Sequence, residues 1–521
     1  MERSGSRRIS DEAQSAGRSA GLFSAPGDPV IPHVEELTPW LDPWEVARRL
    51  AHLPRLLLLE SAFSHPTLGR YSFVAAEPFD WLRARIVADS LRESGRTRGA
   101  SAPHWRGGKE GSALRQTDPF VVLQEHLRPW RVETVPGLPP FQGGAAGLFG
   151  YDLCHHIERL PRPRFDEFET PDLAVGFYDW VIAFAHDQRR AWIISTGLPE
   201  IEPDRRRHRA LLRLETVKRR LTDFPVISPS RIVSSAGTIR PERLYPLPNL
   251  RGVFSNFDRP SYLAAARRAI EYVHAGDCFQ VNLSQRLLHA ATLTPLELYG
   301  RLRERNPAPF AGYFDLGDFV VVSASPERFL RVEDGHVETR PIKGTRPRGA
   351  TLEEDRRQRD ELLRSAKDRA ENVMIIDLLR NDLGRVCAYG SVQVPAVCRL
   401  ESYRTVHHLV SEVVGKLRSG LGPVDLLRAA FPGGSVTGAP KVRAMEIIAD
   451  LEPTARGPYC GSLGYVGFDG SMDTNILIRT FTLGRGWMQF PVGGGIVADS
   501  TPEAEYEETL HKAEGLLRAL R

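Results

Sequence analysis

The sequence predicts a mixed α/β fold with much antiparallel pairing, on three observations. Asp334-Gly335 joins two alternating apolar–polar runs in RFLRVEDGHVETR (328–340), and Asp-Gly between such runs is the strongest short-range hairpin signal. Beyond it, long helical stretches alternate with glycine-rich apolar strands. No short repeat interrupts the pattern.

Taken in order, residues 1–28 are rich in Ser, Gly, Ala and Arg and offer little to bury, which predicts a disordered tail. A first region spans 29–233. Order should begin near HVEEL (33–37), and RLLLLES (55–61) and GRYSFVAAEP (69–78) read as strands. Residues 93–112 are a polar excursion. FQGGAAGLFGYDL (141–153) is a glycine-rich apolar strand or turn without the GxGxxG spacing of a dinucleotide site. DRRRHRALLRLETVKRRL (204–221) is a basic helix with a solvated face. Residues 234–252 read as a linker to a second region, 253–521. There a helix opens near Asp258 and stops at Gly276, and FQVNLSQRLL (279–288) is a strand.

Composition narrows the class. The 521 residues are 41% hydrophobic and 26% charged, as in a globular protein that is not membrane-embedded. A net charge of +4 is too small at this length for a nucleic-acid-binding stripe. Cys154, Cys278, Cys387, Cys398 and Cys460 are scattered without a CxxC pair, which fits a reducing compartment and argues against zinc. No apolar run approaches the ~18 residues of a membrane span, and the N-terminus lacks a secretory core. The expectation is a cytoplasmic protein with neither nucleic acid nor membrane as partner.

Three places could carry chemistry. Lys343 is the lone lysine in ETRPIKGTRPRG (338–349). Unlike arginine, it can lose its proton and attack carbon. A two-residue turn at 334–335 places Glu327 opposite Ile342 and Lys343 opposite Pro326, so acid and amine are neighbours at the open end of the hairpin. Regular pairing should stop before Pro326 and Pro341, which cannot donate to a ladder. Arg340, Arg346 and Arg348 crowd Lys343 in sequence, and like charges lower a lysine's pKa. The alternative is an exposed lysine in a basic loop. Secondly, AKDRAENVMIIDLLRNDLGR (366–385) reads as a helix with Val373, Ile376 and Leu379 inward and Asp368 and Glu371 on one face. Glu505 and Glu508 repeat that spacing in the C-terminal helix (501–520). Paired carboxylates on two helices suit Mg²⁺, or else salt bridges to nearby basic residues. Thirdly, FPGGSVTGAPKVRAMEII (431–448) lacks the Lys-Ser/Thr of a phosphate loop but could aim backbone N–H groups at an anion. Like VGGGIV (492–497), it signals close backbone approach, to a ligand or in packing.

Together these segments resemble the chorismate-utilising enzymes. The resemblance covers roughly 254–518, through FQVNLSQR, SPERFL, RPIKGTRPRG, KDRAENVMIIDLLRNDLGR, GGSVTGAPKVRAMEII, YCGSLGY, NILIRT and GGGIVADSTPEAEYEETLHKA in one order, and LLLLES, GRYSF and GGAAGLFGYDL extend it into the first half. It implies one large α/β unit of two packed antiparallel sheets flanked by helices, with the active site in a cleft of the second region. It further implies that Glu327 is a general acid and Lys343 a nucleophile. Glu371 and Glu508, with Asp368 and Glu505 in support, would hold Mg²⁺. Arg479, Tyr459 and the amides of Gly493, Gly494 and Gly495 would bind the enolpyruvyl carboxylate. Gln280, Lys512, His408, Thr437 and Gly438 would line the rest of the pocket.

Within the family, Pro-Ile-Lys-Gly-Thr at 341–345 and Asn372 after Glu371 resemble the members that make 4-amino-4-deoxychorismate, the precursor of p-aminobenzoate and folate. Anthranilate synthases typically carry Ala and His there. Gln280 stands where water-using members carry a lysine, and an amide is not a useful base at neutral pH. No glutaminase cysteine context is present, which implies a separate glutamine amidotransferase subunit as ammonia source. Ser61, Pro309 and Phe310 fit the family's tryptophan pocket, although Ala311 stands where tryptophan-inhibited members often have Met. The rivals are anthranilate synthase component I and a non-catalytic chorismate- or amidotransferase-binding paralogue.

Overall fold

The computed structural model describes residues 30–62, 68–86, 103–105, 118–223, 237–403 and 406–521. The expected tail (1–28) and nearly all of the polar excursion (93–112) lie outside the described residues.

Among the described residues, the strands form one sheet of 13 and another of 11, paired antiparallel. Both sheets draw on both halves of the chain. In the larger, Leu57–Glu60 pairs with Phe310–Asp315; in the smaller, Gly144–Phe149 pairs with Ser462–Gly467. The inner faces share one core, in which Val181, Leu288, Phe314 and Val321 of the larger sheet meet Ala146, Leu148, Leu463 and Tyr465 of the smaller. Gly147 makes the approach possible. A Cβ there would sit 2.3 Å from the Ala174 carbonyl oxygen and 2.9 Å from the Phe314 ring. Helices cover the outer faces, through Leu298, Leu302 and Leu516 on the larger sheet and Ile375, Leu379 and Leu427 on the smaller.

The local signals act as their chemistry requires. Asp258 caps the helix Arg259–His274 by accepting from the Ser261 N–H, and Gly276 ends it at φ +81°. Asp334 and Gly335 both take positive φ, as a type I′ turn demands. The hairpin register is Glu333 with His336, Val332 with Val337 and Arg331 with Glu338, and pairing ends before either proline. Part of the stretch read as a linker is tied to the larger sheet: Tyr245–Pro246 pairs with Val253–Ser255, and the Trp487 indole donates to the Ile239 carbonyl at 3.0 Å.

One helix differs from its expected face. In Ala366–Gly384, Val373 is 47% exposed, whereas Asn372, Ile375, Ile376, Leu379 and Leu383 are buried. The inward stripe follows a 3.6-residue period starting at Asn372, which turns Val373 out.

Candidate active site

Lys343 lies on the strand Ile342–Pro347, which leaves the hairpin and pairs with Val406–Lys416 instead. The register shifts between Lys343 and Thr345, with Gly344 at φ +78°. Such a bulge re-aims the side chain before it. The Lys343 Nζ donates to the Ser435 carbonyl at 3.0 Å, and the Ser435 hydroxyl donates to Glu327 Oε1 at 2.7 Å. Glu327 is buried, and its backbone carbonyl accepts from the Ile476 N–H at 3.0 Å. The structure therefore brings Glu327 and Lys343 together, as the hairpin reading expected. Ser435, 92 residues beyond Lys343, joins them.

Their electrostatics run in opposite directions. Burial pushes the Glu327 carboxyl up, against the pull of Ser435, Lys343 and the Ile342 N–H. Burial also pushes the Lys343 amine down, with Lys512 adding to the depression and Glu371, Glu327 and Glu508 opposing it. The direction for Lys343 is the expected one, but the arginine cluster is not its cause. Arg340 pairs with Glu401 and Glu412, Arg346 with Glu361 and Asp368, and Arg348 with Asp355. Their charges are spent on carboxylates, and low-dielectric surroundings act on Lys343 in their place.

The four carboxylates sit on the two expected helices, Ala366–Gly384 and Pro502–Leu520. Burial raises Glu371, and the neighbouring Asp368 and Glu508 add to the rise against Lys343 and Lys367. Burial also pushes Glu508 up, but Lys512 at 2.6 Å, with Lys367 and Lys343, outweighs it and holds that carboxyl low. Glu505 is 3% exposed; Oε1 accepts from Ser500 at 2.6 Å, while Oε2 has no hydrogen-bond partner. Asp368 also meets Arg346 at 3.4 Å. Among the described residues, no three acidic, histidine or cysteine side chains converge closely enough to enclose an ion by themselves. The donor set nevertheless suits a hard cation, and a buried carboxylate oxygen without a partner is costly unless something supplies one. Gly494 lets the pair close in: a Cβ there would stand 3.0 Å from Glu505 Oε2 and 3.3 Å from Glu508 Oε1.

Arg479, at φ +52°, forms no ion pair with any described carboxylate, and burial lowers its pKa. It faces His408, whose pKa is pushed down to about 3 by burial and by Arg479. The imidazole is therefore neutral, with Nδ1 2.8 Å from the Thr345 hydroxyl. Gln280 is fully buried, and neither amide atom has a partner. Its Nε2 lies 2.6 Å from where a Gly495 Cβ would be. The Lys512 Nζ donates to the Gly493 carbonyl at 2.9 Å. Tyr459 is buried under the Arg456 guanidinium, 5.8 Å from its ring centroid. Thr437 donates to the Gly433 carbonyl at 3.0 Å. Gly438 and Ala439 pair with Val281 and Gln280, and the helix Lys441–Leu451 begins only after Pro440. The glycine loop is thus stitched to a strand immediately before the helix starts.

Sequence reading missed Arg456. It is 5% exposed, binds Glu452 through two nitrogens at 2.9 and 2.7 Å, and donates to the carbonyls of Val436 and Asn282. The i,i+4 spacing of Glu452 and Arg456 was the available signal.

A separate cavity of about 130 Å³ is lined by Ser61, Pro309 and Phe310, with Glu60, Arg70, Phe73, Tyr465 and Asp473 among its walls. The Ser61 hydroxyl donates to the Pro309 carbonyl at 3.0 Å. Among the described residues no helix is long and apolar enough to cross a membrane.

Residues 83–518 match the family described as chorismate binding enzyme. The chain is 41% identical over 471 residues to aminodeoxychorismate synthase component 1 of Salmonella typhimurium, covering 90% of this chain and 94% of that protein. It is 45% identical over 411 residues to anthranilate synthase component 1 of Thermus thermophilus, covering 79% and 84%. In three dimensions it resembles the crystal structure of anthranilate synthase component I from Streptococcus pneumoniae, with a TM-score of 0.68, 30% identity, and coverage of 87% and 93%.

Proposed function

Since this chain belongs to the chorismate binding enzyme family, we propose that it aminates chorismate at C4 to give 4-amino-4-deoxychorismate. One observation carries this reading: Ser435 links a lysine amine whose charge is disfavoured by burial to a buried glutamate whose carboxyl burial pushes up.

Glu327 gives its proton to the departing C4 hydroxyl, which leaves as water. Neutral Lys343 attacks C2 as both ring double bonds shift, C1=C2 becoming C1=C6 and C5=C6 becoming C4=C5. Ammonia then adds at C4, both double bonds shift back, the C2–N bond to Lys343 breaks to regenerate the amine, and the proton lost by the new C4 ammonium returns to Glu327. A nucleophile and an acid with pKa values displaced toward one another suit this division of labour. Arg479, with no carboxylate of its own, is assigned a substrate carboxylate, oriented by neutral His408 and by Tyr459. Thr437, Gly438, Gln280, Lys512 and the Gly493–Gly495 backbone complete the pocket, and Gln280 provides no base for water.

Glu371 and Glu508, supported by Asp368 and Glu505, are the residues that would hold Mg²⁺; when bound, the ion supplies positive charge for the substrate's ring carboxylate. The ammonia is assigned to a partner amidotransferase, in keeping with the component 1 naming of the relatives. In the separate cavity, aromatic walls beside Asp473, Glu60 and Arg70 suit tryptophan, which equilibrium dialysis with labelled tryptophan tests.

The second reading is anthranilate formation, favoured by the 45% identity to the Thermus thermophilus protein. One experiment separates the two: incubate the chain with chorismate, Mg²⁺ and ammonium, and identify the product by mass and fluorescence. A 4-amino product that keeps the enolpyruvyl group supports the proposal, and anthranilate as the main product overturns it.

A further inference from the structure

We infer that Ser435 is the positioning residue of this site, its hydroxyl holding the acid Glu327 and its carbonyl holding the nucleophile Lys343, so that both face the substrate as one unit. The inference rests on the roles given above to Lys343 and Glu327.

Ser435 is 8% exposed and touches the two groups with two different atoms, at 2.7 and 3.0 Å. The chemistry of each contact suits its partner. A serine hydroxyl donates to an ionised carboxylate and, by rotating, can accept from a protonated one. It therefore serves Glu327 on both sides of proton transfer. A carbonyl has no proton to offer, so it orients the Lys343 amine through an N–H and leaves the nitrogen lone pair free for carbon. Neither contact occupies the lone pair or the remaining carboxyl edge that the reaction needs.

The loop that carries Ser435 is held rigidly enough to position something. The Arg456 guanidinium donates to the Val436 carbonyl at 2.9 Å and is anchored by Glu452. The Thr437 hydroxyl closes back onto Gly433. Gly433 and Gly434 allow close seating. A Cβ on Gly433 would meet Ile476 Cδ1 at 2.5 Å, and one on Gly434 would meet Leu378 Cδ2 at 2.4 Å. Ile476 holds the Glu327 backbone, and Leu378 lies on the helix that carries Glu371. One loop thus registers the acid, the nucleophile and the carboxylate helix against each other.

The test compares Ser435→Ala with Ser435→Thr, after product identification on the wild type. Removing a hydrogen bond to a charged group should lower kcat about 10–100-fold in Ser435→Ala, with KM for chorismate and the melting temperature little changed. Ser435→Thr keeps a donor and should retain most of kcat. The pH profile gives an independent readout. In the productive state Lys343 is neutral and Glu327 protonated, so the alkaline-side apparent pKa of the coupled pair reports loss of the Glu327 proton. The titratable groups facing Glu327 are Lys343 and the Cys460 thiol. Loss of the Ser435 donor destabilises the carboxylate and should raise that apparent pKa by about one unit in the alanine variant, but not in the threonine variant. Wild-type kcat and pH profile in Ser435→Ala, or equal losses in both variants with an unmoved profile, would overturn the inference. A different wild-type product would defeat the proposed reaction and leave these comparisons intact.

Discussion

The residue that decides most is Lys343, because its substitution separates charge from nucleophilicity. Arginine keeps the charge but cannot supply a neutral amine. Lys343→Ala and Lys343→Arg should therefore fail alike in initial-rate assays with ammonium; turnover restored by arginine would show that only positive charge is needed. Glu327→Gln keeps the shape and removes the proton, and kcat should fall about 10²–10⁴-fold. The same substitution should change stability in a pH-dependent way. Burial raises the folded-state pKa of Glu327, so folding disfavours its ionised form. That cost is absent below the unfolded pKa and complete above the folded one. Glu327→Gln should therefore raise the melting temperature at pH 8 more than at pH 4, and an equal shift at both would contradict the assignment. The sequence made Lys343 and Glu327 legible, through the hairpin and the resemblance. It misassigned the cause of the lysine's shift, because the partners of Arg340, Arg346 and Arg348 lie up to 72 residues away.

At the scale of elements, two helices and a glycine strand carry and crowd the carboxylates proposed to hold Mg²⁺. The paired carboxylates were legible because three-residue spacing is a local property of a helix. That Glu371 and Glu508 come within electrostatic reach of one another was not, because it depends on how Ala366–Gly384 is docked. Asn372 contributes to that docking: its side chain donates to the Leu409 carbonyl at 3.2 Å and accepts from the Ser411 hydroxyl. The residue that read as a branch marker thus ties the helix to the strand beside Lys343. Glu371→Ala and Glu508→Ala should each abolish turnover with little loss of melting temperature, since each removes a ligand and not core packing; full activity in a chelator would exclude the Mg²⁺ assignment. Gly494→Ala is a finer probe. Its Cβ would press on Glu505 Oε2 and Glu508 Oε1. Mg²⁺ affinity, read by calorimetry on the free chain, should weaken about 10-fold, and unchanged affinity would place the metal elsewhere.

The whole molecule is held by strands exchanged between its halves. Removing residues before 253 would strip Phe310–Asp315 of Leu57–Glu60 and Ser462–Gly467 of Gly144–Phe149, exposing two strand edges and the shared core. Residues 253–521 expressed alone should therefore aggregate or show no cooperative unfolding, and a sharp native transition would show the second region to be self-sufficient. The intact chain, supplied with glutamine as its only nitrogen source, should be inactive until ammonium is added; glutamine-dependent turnover would reveal a glutaminase site within it. The sequence by itself determined what is local or ordered along the chain: the Asp334-Gly335 turn, the Asp258 cap, the carboxylate spacings and the motif order that marks the family. These depend on backbone propensity and on residues within one or two turns. Only the tertiary structure decided what depends on distant partners: Ser435 between Lys343 and Glu327, the orphaned Glu505 oxygen against Gly494, and burial rather than arginine charge as the force on Lys343. Burial and hydrogen-bond partnership are set by whatever packs across the cleft, and no local stretch of sequence contains that information.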